Sequence, residues 1–252
     1  DPTSTHKIKL MSPPLALGQA VHEVIEGLSM LPVEQRFQTP LIKLFETSWK
    51  KVSGKNGGFV DSGTEQKYRE RGEAMLTRVT NNPGPIGNRA VKIKMDLPNY
   101  WLSEEEGIIL CGKLDWLEYL PTTDSVHIVD FKTGKKDEDG NSLQLPIYLL
   151  LASNCQKREV AKASYWYLER NDELTPCDLP NSLEAHKRVL DIARKIKLAR
   201  ALGKFACPTG GCMHCKPYEA ILRGEAELVG KDEYNADVYI LNSEDNEESV
   251  IL

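Results

Sequence analysis

Residues 112–134 read GKLDWLEYLPTTDSVHIVDFKTG. Two runs rich in β-formers, 108–120 and 126–131, flank a Pro-Thr-Thr-Asp turn, the pattern of an antiparallel hairpin. Strand alternation sends Asp130 and Lys132 to one face of the second run and Phe131 to the other. Val126 and Ile128 share the Asp130/Lys132 face, so an apolar strand surface ends abruptly in a carboxylate and an amine. A second carboxylate, Asp115, falls in an otherwise apolar part of the first run. Two acids and a lysine at the ends of paired, half-buried strands point to metal-dependent hydrolysis.

Outward from the hairpin, the N-terminal third reads as helical. Residues 15–31 repeat Leu17, Val21, Val24, Leu28 and Leu31 on one helical face, after a Ser12-Pro13-Pro14 start. Gly18, His22 and Glu26 fall four apart on one stripe; on helix periodicity alone His22 reads as a half-exposed histidine beside glutamates. Residues 33–52 predict a second helix and 64–80 a third, carrying Arg69, Arg71 and Arg78. Residues 90–97 alternate Val91, Ile93 and Met95 with polar residues and predict a strand. After the hairpin come a charged loop at 134–141, a helix at 142–154 and a strand at 160–168. A helix at 183–202 turns Val189, Ala193 and Ile196 inward and carries a basic stripe of Lys187, Arg194 and Lys197, read first as a solvated face. A short strand at 238–241 precedes an acidic end.

The 252 residues, 40% apolar and 27% charged, are enough for a sizeable core of ordinary composition. No apolar run approaches the ~20 residues that span a bilayer, so no membrane association is expected. Seven acids and no Lys or Arg lie in residues 232–252, so residues 1–231 carry +2 against −5 for the whole chain. A mildly basic body is compatible with a polyanionic partner. The six cysteines do not form a secreted disulfide framework, and the expected compartment is the cytoplasm. The chain starts at Asp1 rather than Met, from which a trimmed piece of a longer protein is expected.

The order of motifs resembles the PD-(D/E)XK nuclease superfamily, specifically its RecB-like branch of helicase-linked nucleases and CRISPR-associated exonucleases. The residues that carry the resemblance are Gly18-x-x-x-His22, Gly112-x-x-Asp115, Asp130-Phe131-Lys132-Thr133-Gly134 and Gln144-x-x-x-Tyr148. It implies an α/β restriction-endonuclease-like core with a central mixed sheet flanked by helices. The expected units are a helical region at 1–88 contributing His22, a nuclease core at 89–204, a cysteine-rich loop and helix at 205–230, and an acidic tail at 231–252. By the same resemblance, Asp115, Asp130, His22 and the Phe131 carbonyl bind Mg²⁺ or Mn²⁺, and the bland reading of His22 is reversed. Lys132 is the catalytic lysine, and Gln144 and Tyr148 border the site.

The implied function is a deoxyribonuclease, an exonuclease on single-stranded DNA or DNA ends in repair, recombination or defence. Its implied partners are DNA and a helicase or other nuclease-complex subunit. The alternative is a catalytically inactive nucleic-acid-binding or scaffold subunit with the same fold. Near the C-terminus, Cys207-Pro-Thr-Gly-Gly-Cys212-Met-His-Cys215 gathers three thiols. The resemblance suggests a 4Fe-4S cluster held by one upstream cysteine and three C-terminal ones, but no cysteine precedes Cys111, so that fourth ligand is absent from this chain. Zinc with His214 or another group, and a loop without metal, remain open beside it.

Overall fold

The computed structural model describes residues 7–207, 210–232 and 235–241. Its strands in chain order are β1 (Ile8–Leu10), β2 (Asn99–Ser103), β3 (Ile108–Cys111), β4 (Trp116–Leu120), β5 (Ser125–Lys132), β6 (Val160–Tyr167), β7 (Thr175–Cys177), β8 (Ala226–Lys231) and β9 (Asp237–Leu241). The helices are α1 (Pro13–Leu28), α2 (Leu41–Trp49), α3 (Ser62–Asn81), α4 (Gln144–Cys155), α5 (Ser182–Ala201) and α6 (Lys216–Leu222).

Helix α1 starts on Pro13 and Pro14, whose fixed φ suits a first turn, and buries Leu17, Val21, Val24 and Leu28. The single helix expected at 33–52 does not form. A 3₁₀ turn at Val33–Gln35 is followed by a break and then α2. Pro40 explains the break, because it disfavours helical backbone at Thr39 before it and has no N–H to donate. The Asp61 side chain caps α3, accepting from the Thr64 amide at 2.8 Å. Leu17, Phe45 and Leu76 from these helices pack on Trp116, Val129, Phe131 and Trp166 from one face of a sheet. Arg36 ties this layer to the sheet. Its buried guanidinium donates to the Ile86 and Asn88 carbonyls, each at 2.6 Å, and lies over the Trp116 ring.

That sheet has the order β4-β5-β6-β7 and is mixed. β4 and β5 form the antiparallel hairpin, with Leu120 opposite Ser125 and Asp124 at positive φ in the turn. Helix α4 is the crossover that makes β6 parallel to β5, and β7 returns antiparallel. The second face of the sheet, with Leu117, Val126, Ile128 and Ala163, is covered by Leu149 and Ala152 of α4.

Two strand expectations change. The run 108–120 is split at Gly112, where a Cβ would lie 3.1 Å from Leu151 of α4. Its first part, β3, pairs with β2, and only the second part, β4, joins β5. Asp115 therefore precedes β4 rather than lying within a strand. The expected strand at 90–97 is reduced to one bridge, Ala90 with Glu118, because the chain leaves the β4 edge after Val91. Ile196, expected inward, is 55% exposed, since α5 buries only Ala185 and Val189 near its start.

The two ends of the chain meet in a third sheet. β1 pairs parallel with β9, and β9 antiparallel with β8. Strand β8 was not expected, and Val238 and Ile240 of the segment read as an acidic tail join the main core. Residues 242–252 of that expected tail lie outside the described residues. No helix among the described residues is long and apolar enough to cross a membrane.

Candidate active site

β5 ends in Asp130-Phe131-Lys132. Its alternation buries the Phe131 ring in the core beneath α1 and turns Asp130 and Lys132 toward α4. The register Trp116↔Val129 brings Asp115, one residue before β4, alongside Asp130. The Phe131 backbone N–H donates to Asp115 Oδ2 at 3.0 Å, and the Tyr148 hydroxyl donates to Asp115 Oδ1 at 3.3 Å. From the other layer, α1 comes close at Gly18, where a Cβ would lie 3.3 Å from Thr133 Oγ1. One turn on, His22 Nδ1 sits 3.4 Å from Asp115 Oδ2. Its ring meets Phe131 edge-on.

Gln144, at the start of α4, links the parts. Its amide nitrogen donates to Asp130 Oδ1 at 2.7 Å and to the Tyr148 hydroxyl at 3.1 Å, while its carbonyl accepts from Lys132 Nζ. The spacing of four between Gln144 and Tyr148 places both on one side of α4. Every residue named from the sequence for this site, from α1, the β4 entry, β5 and α4, is thus brought to one point at the carboxyl end of β5. Such strand ends are where α/β sheets commonly hold ligands.

Two further acids join them. Glu26 Oε1 is 3.2 Å from His22 Nδ1, and the ligand atoms of His22, Glu26 and Asp115 all lie within 4.8 Å of one another. Glu138, in the loop after β5, pairs with Lys132 at 2.7 Å. Glu26 carried a sequence signal, the stripe shared with His22, whereas Glu138 lies in an aperiodic loop and carried none.

The electrostatics are crowded. Burial alone lowers the pKa of His22, but Asp115 and Glu26 outweigh it and hold it at about 9. Burial and the Asp115 charge push Asp130 up to about 7 in spite of Lys132. Burial disfavours the Lys132 ammonium, yet Asp130 and Glu138 keep its pKa above the ordinary value. Asp130 Oδ2 is buried and lies 2.9 Å from Lys132 Nζ, an ion pair that offsets part of the cost of its burial. Burial first, and then Asp115 and Asp130, raise Tyr148, which stays a hydroxyl donor.

Elsewhere, Cys207, Cys212 and Cys215 place their sulfurs within 4.8 Å of one another, with Cys212 and Cys215 at 3.6 Å, just before α6. The arginines of α3 are paired within the chain. Arg69 meets Glu73 at 3.0 Å, Arg71 meets Glu169 at 2.7 Å and Arg78 meets Asp172 at 2.7 Å. On α5, Arg194 donates to Glu106 at 2.9 Å, and Lys197 donates to the Glu106 carbonyl.

The family model described as the PD-(D/E)XK nuclease superfamily matches residues 4–221, a span that includes every residue of this cluster. The mixed sheet flanked by helices is consistent with the restriction-endonuclease-like core of that superfamily. A search of curated proteins found no match.

Proposed function

Because this chain belongs to the PD-(D/E)XK nuclease superfamily, we propose that it is a metal-dependent deoxyribonuclease of the RecB-like branch, acting as an exonuclease on single-stranded DNA or DNA ends. The observation that carries this reading is the convergence of His22, Asp115, Asp130, Lys132, Gln144 and Tyr148 at the end of β5.

The residues fit a hard divalent cation. Glu26, Asp115, Asp130 and Glu138 bring four carboxylates against the two protein cations, His22 and Lys132. Asp130 Oδ2, which meets only Lys132 among the described residues, keeps a lone pair for a cation, and oxygen donors with one imidazole suit Mg²⁺ or Mn²⁺. Asp115, Asp130, His22 and the Phe131 carbonyl would hold the ion, which supplies Lewis-acid charge that polarises the scissile phosphate.

The protein's own groups do the rest. Negative charge builds on the phosphate oxygens during hydrolysis, and a preorganised cation beside them lowers the barrier. Lys132 is held charged by Asp130 and Glu138, so it serves as an electrostatic stabiliser rather than a neutral base. Gln144 fixes the spacing of Lys132 from Asp130, and Tyr148 keeps the Asp115 carboxylate oriented.

Asp130→Ala or Lys132→Ala is expected to reduce Mn²⁺-dependent degradation of labelled single-stranded DNA by at least about 10²-fold. Circular dichroism would verify that the variants are folded. Degradation at the wild-type rate by both would end the nuclease reading.

The same reading extends to a soft-metal site at Cys207, Cys212 and Cys215. Three thiols this close suit a 4Fe-4S cluster or zinc, completed by one further ligand. Iron, zinc and acid-labile sulfide analysis of anaerobically purified protein discriminates the two, and a sample free of both metals rules the site out.

A further inference from the structure

A cavity of about 230 Å³ opens beside the candidate active site, between the end of α1 and residues 90–98. Glu26 and Asp115 line one side of it, so it is continuous with the carboxylate cluster. Lys92 and Lys113 also line it; both are exposed, and neither has a carboxylate partner among the described residues. This sets them apart from Arg71, Arg78 and Arg194, whose charges are already offset within the chain. Met30 and Met95, 61% and 40% exposed, complete the lining with apolar, polarisable side chains. Asp96 also lines it, so with Glu26 and Asp115 three acids face two lysines; Lys92 and Lys113 are the cations of the lining, and a phosphate must meet them on the side away from these acids.

We propose that this groove receives the nucleic-acid strand as it leaves the cleavage site, with Lys92 and Lys113 holding backbone phosphates and Met30 and Met95 flanking an unstacked base. The assignment rests on the nuclease reading above. Phosphates next to the scissile one lie one nucleotide step along the strand, and this lining combines ammonium groups that have no carboxylate partner among the described residues with apolar contacts. Thioether sulfur packs favourably against aromatic rings, a contact that tolerates any base. The occupant is a single strand or a frayed end, because only an unstacked base presents its faces to the two thioethers.

The test uses the full chain carrying Asp130→Asn to silence cleavage, and a fluorescein-labelled single-stranded oligonucleotide in Mn²⁺. Affinity is measured by anisotropy across a salt series. Adding Lys92→Ala and Lys113→Ala is expected to weaken binding and to reduce the slope of log K against log salt by about 0.7 per lysine. Adding Lys187→Ala and Lys195→Ala on α5 instead is expected to leave both unchanged. An unchanged slope for the groove pair, or an equal loss for the α5 pair, would overturn the groove while leaving Mn²⁺-dependent cleavage by the wild type intact. Absence of that cleavage in the wild type would instead defeat the nuclease reading itself. In the cleaving enzyme, the groove pair should raise KM by a larger factor than it lowers kcat.

Discussion

Glu118 and His127 face each other across β4 and β5, on the sheet face opposite Asp130. The Glu118 carboxylate accepts from Asn88 Nδ2 at 2.7 Å and meets His127 Nδ1 at 2.7 Å, while His127 Nε2 reaches Ser164 Oγ at 2.9 Å. Burial opposes ionisation of Glu118, but His127 and Asn88 outweigh it and hold its pKa below the ordinary 4.5. A depressed carboxylate stabilises the fold above its unfolded pKa, and that contribution is lost as pH falls through the folded value. Glu118→Gln is therefore expected to cost about 1.5–3 kcal/mol at pH 7 and progressively less below pH 4.5, read from urea denaturation at both pH values. A cost independent of pH would contradict this. Asp115, Asp130, Lys132, Gln144 and Tyr148 were picked out together, because their motifs fall in an order that resembles the nuclease family, and only Asp130/Lys132 and Gln144/Tyr148 are also paired by the spacing of one strand or one helix. Glu138 was not, since its meeting with Lys132 depends on the path of an aperiodic loop.

At the scale of elements, the close approach of α2 and α3 depends on Gly72. A Cβ there would lie 2.4 Å from Cζ of Phe45, a ring fully buried among Leu17, Trp49 and Leu76. Alanine is the better helix former by about 1 kcal/mol, but overpacking a filled core costs about 1–3 kcal/mol. Gly72→Ala is accordingly expected to lower the urea midpoint with little change in slope; a raised midpoint would show that the helices separate at no cost. Helices α1, α4 and α5 were legible from their inward apolar residues, and α3 as a strongly polar helical run between a Gly-rich segment and Asn81–Pro85. Phe37, Leu41, Phe45 and Trp49 recur every fourth residue across Pro40, so periodicity alone carries a helix through a point where proline breaks it. The alternation at 90–97 predicted a strand that a single bridge replaces, because alternation reports which faces are apolar and not whether a partner edge is available.

For the whole molecule, the chain ends are joined by β1 and β9, and Ile240 packs in the same core as α1 to α3. Ile240→Ala is expected to cost about 2–5 kcal/mol, whereas Leu228→Ala, at a 54% exposed position in β8, should stay within about 0.5 kcal/mol. If the end sheet and the core unfold together, circular dichroism and intrinsic fluorescence will shift in one coincident transition; separate transitions would make the end sheet an independent unit. The sequence by itself determined the order of α1, α3, α4 and α5 and the hairpin, because these follow from periodicities of two and 3.6, while the candidate site residues came from the order of motifs that resembles the nuclease family. Only the tertiary structure decided that β1 meets β9, that Arg71, Arg78 and Arg194 are offset by Glu169, Asp172 and Glu106, and that Lys92 and Lys113 lie beside Asp115 with no carboxylate partner among the described residues. Those pairings join residues about ninety or more positions apart, and no local repeat encodes which distant carboxylate a cation will meet.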